Sequence, residues 1–198
     1  FDGDNHTINA TLSSSDKSIA LFSYITSEAS ISNLTLTGSV KCTSSANNLG
    51  CGGFVGNLAN ISGKTAKLTN LVNEASITGN TQRAAGILSY CQGRIIISNC
   101  VNRGAIKSPS SLYVGGIMGT LVSAPTNIVD AFQILECSNY GTLTCSTKDT
   151  ARKGGMIGYT GAGAFHIVIS HYELGGYDAV GLDQVTAKGG SIKITDLR

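Results

Sequence analysis

The stretch Val114-Gly115-Gly116-Ile117-Met118-Gly119 decides the fold, because its pattern of small residues followed by two apolar residues recurs along the chain. The other copies are Ile19-Ala20-Leu21-Phe22-Ser23, Cys51-Gly52-Gly53-Phe54-Val55-Gly56, Ala84-Ala85-Gly86-Ile87-Leu88-Ser89 and Lys153-Gly154-Gly155-Met156-Ile157-Gly158. The equivalent positions Ala20, Gly53, Gly86, Gly116 and Gly155 are spaced by 33, 33, 30 and 39 residues. Such regularity predicts a stack of equivalent structural units.

A second element follows each copy of the first at a similar distance. Its clearest copy is Ile97-Ser98-Asn99-Cys100-Val101-Asn102-Arg103-Gly104-Ala105-Ile106. The related copies are 31–40, 68–77, 134–143 and a weaker one at 168–175. The two elements alternate five times, so we expect about five coils.

The second element aligns into columns of apolar residues that are expected to stack in a shared core. The columns are Ile31, Leu68, Ile97, Ile134 and Val168; Leu34, Leu71, Cys100 and Cys137; and Val40, Ile77, Ile106 and Leu143. Small residues lie between the second and third columns, where the chain must turn sharply or adopt a left-handed conformation. They are Gly38, Ala75, Gly104 and Gly141.

The composition favours strands over helices. The chain has 25 Gly and no Trp, and its Val, Ile and Leu fall in short runs bounded by Ser, Thr, Asn and Gly. No run of 10 to 12 helix formers is present to build helical hairpins, and a propeller blade with two recognisable strands would be thin. The sequence therefore predicts an all-β parallel β-helix over residues 1–176. Residues 177–198 depart from the repeat and are predicted to cap or continue the array through a strand at 191–197.

The charge pattern excludes some partners. Only 13% of the residues are charged, 14 Lys and Arg face 12 Asp and Glu, and no basic block occurs, so nucleic-acid binding is not expected. No apolar run approaches the roughly 20 residues that a membrane span requires. The chain starts inside a strand-turn unit and lacks the regions of a signal peptide, so we expect a mature or excised piece of a larger protein.

Three features resemble the GLUG-type repeats of bacterial cell-surface proteins, particularly large surface proteins of gut Bacteroidetes. They are the Gly-Gly-apolar-apolar-Gly element, the opening Phe1-Asp2-Gly3-Asp4-Asn5-His6-Thr7-Ile8, and the Asn-Cys-x-Asn-x-Gly elements at 99–104 and near 137–141. The resemblance covers residues 1 to about 176. It implies a right-handed β-solenoid, an extracellular or cell-surface location and an adhesin-like or scaffolding role, and it supplies no catalytic residue.

The six cysteines do not indicate a metal or redox centre, because no Cys-x-x-Cys pair occurs among them. Cys100 and Cys137 share a column in successive coils, which would place their Cα atoms about 4.8 Å apart. This spacing allows either a buried ladder of free thiols or a disulfide. Cys42 and Cys145 are also equivalent in the repeat but are separated by three coils, so they should not pair.

No catalytic arrangement is apparent, and no catalytic residue, metal ligand or cofactor is predicted. Glu74, Glu136 and Glu173 fall at different positions of the repeat. The best acid pair, Asp178 and Asp183 with Lys188 nearby, is interpreted as solvated turn residues of a capping segment. His6, His166 and His171 lie far apart in sequence, and His171, in a core column, is expected in a partly exposed terminal coil.

One position of the repeat suggests a binding face. Tyr24, Tyr90 and Tyr159 lie four residues after the equivalent positions Ala20, Gly86 and Gly155. Asn57 and Thr120 occupy the same position in the intervening coils. Alternate coils would space the rings by about 10 Å, so that sugar rings could stack on them while Asn57 and Thr120 supply hydrogen bonds. The alternative is that all five are ordinary half-buried strand residues.

Two classes of function are compatible with the sequence. The first, which we expect, is a non-catalytic surface module that presents an extended face to a glycan or a protein. The second is a carbohydrate-active enzyme, a polysaccharide lyase or hydrolase, whose site is assembled across coils. The scattered acids favour the first class.

Overall fold

The computed structural model describes residues 1–43, 50–61, 63–79, 82–109, 112–122, 132–146, 152–161, 166–185 and 188–197. In these parts the backbone is almost entirely β-structure, without an α-helix, and the strands pair in parallel, with register shifts only at the β1–β4 and β16–β20 pairs. The chain is therefore a parallel β-solenoid, as the repeat predicts. It makes about four turns, one fewer than the five coils expected, because four turns separate five successive strands of one sheet. The described residues contain no helix that is long and apolar enough to cross a membrane.

Two sheets of five strands are built from the first repeat element, one on each side of its small-residue pair. The strands of sheet 1 are β2 (Ser18–Ile19), β5 (Gly50–Gly52), β9 (Arg83–Ala85), β14 (Tyr113–Gly115) and β18 (Arg152–Gly154). The strands of sheet 2 are β3 (Phe22–Thr26), β6 (Val55–Ala59), β10 (Leu88–Cys91), β15 (Met118–Leu121) and β19 (Ile157–Thr160). Each coil contributes one short strand to each sheet.

The second repeat element and the two ends of the chain form sheet 3, which has eleven strands. Its strands are β1 (Asp2–Ser14), β4 (Ser30–Cys42), β7 (Ala66–Asn73), β8 (Ser76–Gly79), β11 (Ile95–Ser98), β12 (Val101–Asn102), β13 (Ile106–Lys107), β16 (Phe132–Asn139), β17 (Leu143–Thr144), β20 (His166–Glu173) and β21 (Ser191–Asp196). The tail thus adds β21 to the sheet, in parallel with β20.

The apolar columns of the second element stack as predicted in all but one coil. Leu34 pairs with Leu71, and the column of Val40, Ile77, Ile106 and Leu143 is continuous and buried. In the fifth coil the prediction that Val168 continues the column of Ile134 is wrong, because Ile134 pairs with Ile169. The register between β16 and β20 shifts after this pair, and a shift of one residue exchanges the buried and exposed faces of a strand.

The expected left-handed turn is found at Gly38 alone of the four small residues, with φ of 97°. In the other coils the left-handed residues are Asn70, Asn99 and Glu136, each directly before the second apolar column, with φ between 52° and 55°. Asn33 occupies the same position in the coil of Gly38. At Gly104 the constraint is space, since a Cβ there would meet the Ala75 carbonyl oxygen and the Asn73 amide. Close packing between coils therefore explains why this column is small.

A ladder of buried asparagine amides runs beside that column and links successive coils. Asn73 Nδ2 donates to Asn102 Oδ1 at 2.7 Å, and Asn102 Nδ2 donates to Asn139 Oδ1 at 2.8 Å. Each Nδ2 also donates to the main-chain carbonyl two residues later, at Ala75, Gly104 and Gly141. All three side chains are fully buried, where water cannot reach, and the ladder pairs every amide atom of theirs except Asn73 Oδ1.

His171 is buried, which corrects the expectation of a partly exposed terminal coil. It pairs with Cys137 at the core column and is 3% exposed. The reason is the tail: β21 runs alongside β20, with Asp196 opposite His171, and the Leu197 amide donates to the His171 carbonyl. The extra strand covers what would otherwise be an open edge.

Candidate functional site

The five residues of the predicted binding face form one column across sheet 2. Tyr24 pairs with Asn57, Asn57 with Tyr90, Tyr90 with Thr120, and Thr120 with Tyr159. Adjacent strands lie about 4.8 Å apart, so tyrosines in alternate coils are about 10 Å apart. The structure thus brings together residues that are separated by up to 135 positions in the sequence, from Tyr24 to Tyr159.

The members of this column differ in exposure. Tyr24 is 59% exposed, and Tyr90 and Tyr159 are half-buried. Asn57 and Thr120 are buried, at 2% and 0% exposure, because each shorter side chain lies between two larger tyrosines. The two polar residues therefore line the base of the column rather than its surface.

Both buried polar residues have unmet hydrogen-bonding capacity. Asn57 Oδ1 and Thr120 Oγ1 have no hydrogen-bond partner among the described residues. A buried polar atom without a partner costs about 1–3 kcal/mol, so such atoms are rare outside sites that receive water or a ligand. Both oxygens are closed to solvent, so a ligand hydroxyl reaches them only when the flanking tyrosine side chains rotate away.

The sequence analysis missed a second column, which lies on sheet 1 beside the first. Arg83 pairs with Tyr113, and Tyr113 with Arg152. A signal for it was present, because each of these residues directly precedes a copy of the first repeat element. In the two earlier coils the same register places Ser18 and Gly50 in this column.

Side-chain contacts join the two columns into an arginine–tyrosine cluster of Arg83, Tyr90, Tyr113 and Tyr159. The Arg83 guanidinium carbon lies 4.4 Å from the centre of the Tyr90 ring, in cation–π geometry. The rings of Tyr113 and Tyr159 are stacked, with centroids 4.3 Å apart and an interplanar angle of 19°. Each contact joins a side chain of sheet 1 to a side chain of sheet 2.

The electrostatics of the cluster suit binding better than proton transfer. Burial raises the pKa of the Tyr159 phenol, with a further contribution from Tyr113, so the phenol stays neutral at physiological pH. Burial lowers the pKa of the Arg83 guanidinium, an effect that the phenols of Tyr90, Tyr113 and Tyr159 oppose, and arginine remains charged in proteins. The cluster therefore offers neutral hydroxyl groups and a permanent cation. Because Arg83 covers one face of Tyr90 and Tyr113 covers one face of Tyr159, a ligand has at most the opposite faces of these two rings.

The other candidates for chemistry lie apart from this surface or have structural roles. Asp183 Oδ1 accepts hydrogen bonds from Thr160 Oγ1 at 3.1 Å and from the Val185 amide at 2.7 Å. Glu173 Oε1 accepts from the amides of Leu174 and Gly175. Within the described ranges, no three His, Cys, Asp or Glu side chains are placed to hold a metal ion.

The structure contains a thiol ladder rather than a disulfide at the paired core cysteines. Cys100 and Cys137 are both buried as free thiols, and each donates to the carbonyl two residues before it at 3.3 Å. Burial, with a smaller contribution from Cys137, raises the pKa of the Cys100 thiol. These cysteines act as small core residues.

Alkaline pH is expected to destabilise the fold through its buried thiols. Burial raises the pKa of Cys51 and of Cys91 to about 12, whereas an unfolded thiol titrates near pH 8.5. Between these values the unfolded state binds fewer protons, so stability falls as pH rises, by up to about 1.4 kcal/mol per pH unit for each thiol. Urea unfolding of the reduced protein at several pH values above 8 measures this slope. The variant with Cys51→Ala and Cys91→Ala should show a shallower slope, and equal slopes would contradict the prediction.

Comparison with known proteins gives no match: no family model, curated protein or solved structure is significantly similar to the chain. The solenoid and the arginine–tyrosine cluster therefore carry the functional argument.

Proposed function

We propose that the chain is a non-catalytic cell-surface module whose column of Tyr24, Asn57, Tyr90, Thr120 and Tyr159 binds a glycan. The observation that carries this proposal is the recurrence of tyrosine rings at alternate rungs of one column, over five successive rungs. Aromatic faces pack against the apolar faces of sugars, and the tyrosine hydroxyls can exchange hydrogen bonds with sugar hydroxyls.

The geometry of a solenoid supports an extended ligand. The rings recur along the stacking direction at about 10 Å intervals, so a linear chain of sugars can contact several of them at once. Each contact adds to the affinity without a deep pocket, as expected for a repetitive concave or flat binding surface. Surface location and an adhesin-like role belong to the same proposal, which the resemblance to GLUG-type repeats supports.

A glycan array tests the proposal. We expect the purified protein to bind specific glycans, and a variant combining Tyr24→Ala, Tyr90→Ala and Tyr159→Ala to bind at least about tenfold more weakly, since each ring contributes about 0.5–1.5 kcal/mol. The matched control combines Tyr140→Ala and Tyr172→Ala, two tyrosines outside the column that are 57% and 44% exposed. It should bind as the unmodified protein does.

Two outcomes count against the proposal. Equal loss in the control variant would show that binding does not involve the column, and no binding of any glycan by the unmodified protein would remove the proposed function. Mass spectrometry of the bound glycans tests the enzyme alternative in the same samples. Shortened glycans would show catalysis, whereas we expect their length to stay unchanged.

A further inference from the structure

The charged residues within the tyrosine column and the column beside it are of one sign. The two adjacent columns on sheets 1 and 2 together hold ten residues, namely Ser18, Gly50, Arg83, Tyr113 and Arg152, and Tyr24, Asn57, Tyr90, Thr120 and Tyr159. Two of them are arginines and none is an acid. An anion that approaches this surface therefore meets positive charge from the columns themselves and no carboxylate of theirs.

Arg83 lies at the centre of this surface. It is half-buried and is held over the Tyr90 ring at 4.4 Å, which fixes the orientation of a long side chain. A guanidinium that is already oriented loses less conformational entropy when it binds an oxyanion, and its planar fork matches the two oxygens of a carboxylate or sulfate. Partial burial also weakens the screening of its charge by water.

We propose that the ligand of this surface is an anionic glycan, in which a carboxylate or sulfate group binds Arg83 while the sugar rings contact Tyr90 and Tyr159. This inference rests on the glycan-binding function proposed above and specifies the chemistry of its ligand. The arrangement of Arg83 over Tyr90 places the cation at the ring that the sugar would contact. One ligand unit can therefore bind a ring and the guanidinium together.

A matched set of oligosaccharides tests the charge requirement. The probes are oligosaccharides of hyaluronan and alginate, which carry carboxylates, and the same oligosaccharides after methyl esterification. Oligosaccharides of carrageenan, which carry sulfates and no carboxylate, are compared with their desulfated forms, and oligosaccharides of dextran and cellulose are neutral controls. We expect a carboxylated or sulfated probe to bind at least about tenfold more tightly than its uncharged counterpart, because the uncharged probe cannot form the charge-assisted hydrogen bonds with the Arg83 guanidinium. Loss of binding on methyl esterification shows carboxylate recognition, and loss of binding on desulfation of the carrageenan probe shows sulfate recognition.

Variants of the protein test whether Arg83 causes the preference for charged probes. We expect Arg83→Gln to remove most of the preference for the charged probe, and Arg83→Lys to keep only part of it, since lysine lacks the planar fork. The control is Arg103→Gln, which removes the same charge from an exposed ion pair with Glu74 on sheet 3. Thermal unfolding followed by circular dichroism checks that the variants fold. If Arg83→Gln does not fold, the comparison of acid and ester on the unmodified protein decides.

The outcomes separate this inference from the proposed function. Equal binding of charged and uncharged probes, or an Arg83→Gln variant that keeps the full preference, overturns the anionic ligand and leaves glycan binding in place. Binding of the neutral probes without binding of the charged probes also overturns the anionic ligand and leaves glycan binding in place. Failure of every probe and of the wider array overturns both.

Discussion

Replacing Asn102 with alanine is expected to lower the free energy of unfolding by about 3–5 kcal/mol, because it removes the central amide of a buried ladder. Asn102 accepts from Asn73 Nδ2 and donates to Asn139 Oδ1 and to the Gly104 carbonyl. Alanine leaves all three of these groups without that partner, in a part of the core that is closed to water. The loss should exceed that of a single surface hydrogen bond several-fold.

Urea unfolding followed by circular dichroism measures this loss. The matched control is Asn60→Ala, which removes an exposed amide and should change stability by less than about 0.5 kcal/mol. A similar small effect of Asn102→Ala would mean that the ladder contributes little and that apolar stacking alone holds the coils together.

Replacing Gly86 with alanine is expected to be at least as damaging, and to yield a protein that unfolds at much lower urea concentration or fails to fold. A Cβ at Gly86 would collide with the Gly116 carbonyl oxygen of the next coil and lie 2.5 Å from Asn102 Oδ1. Neither atom can move away cheaply, because the Gly86 amide donates to that carbonyl and Asn102 belongs to the ladder. We expect a loss of more than about 3 kcal/mol, as for severe overpacking of a core.

The control for Gly86 is Gly176→Ala. Gly176 has a left-handed φ of 79°, but nothing lies within 4 Å of its Cβ position, so the change introduces backbone strain without a collision. It should cost only about 1–2 kcal/mol. If the two variants were equally stable, the spacing between coils at Gly86 would have to be larger than the structure shows.

The close contact between Gly86 and Asn102 explains why glycine recurs in the first repeat element. Gly53, Gly86 and Gly116 each lie against the carbonyl of the next coil and against an asparagine of the ladder, namely Asn73, Asn102 and Asn139. The two repeat elements are therefore coupled, since the small residue of one makes room for the amide of the other. The ladder ends at Asn73 because Leu36 takes the place of asparagine in the preceding coil, which leaves Asn73 Oδ1 without a hydrogen-bond partner among the described residues.

The fold was predictable from the sequence because a solenoid repeats its local chemistry. Each coil must bury the same face against its neighbours, so the apolar columns appear in the sequence at a regular spacing. The same regularity predicted that Tyr24, Asn57, Tyr90, Thr120 and Tyr159 share a column, and the register confirms it. The irregular coil was the point of failure, because a shift of one residue moved the core position from Val168 to Ile169.

The sequence by itself determined the parallel strands, the stacking of the columns and the positions that must be small. Only the tertiary structure decided which side chains meet across sheets, since Arg83 reaches Tyr90 and Tyr113 stacks on Tyr159 between strands of different sheets. It also decided the burial of Asn57, Thr120 and His171, which depends on the size of neighbouring side chains and on the added strand β21. The physical reason is that a repeat specifies neighbours along one column, whereas contacts between columns depend on the angle between sheets and on side-chain reach.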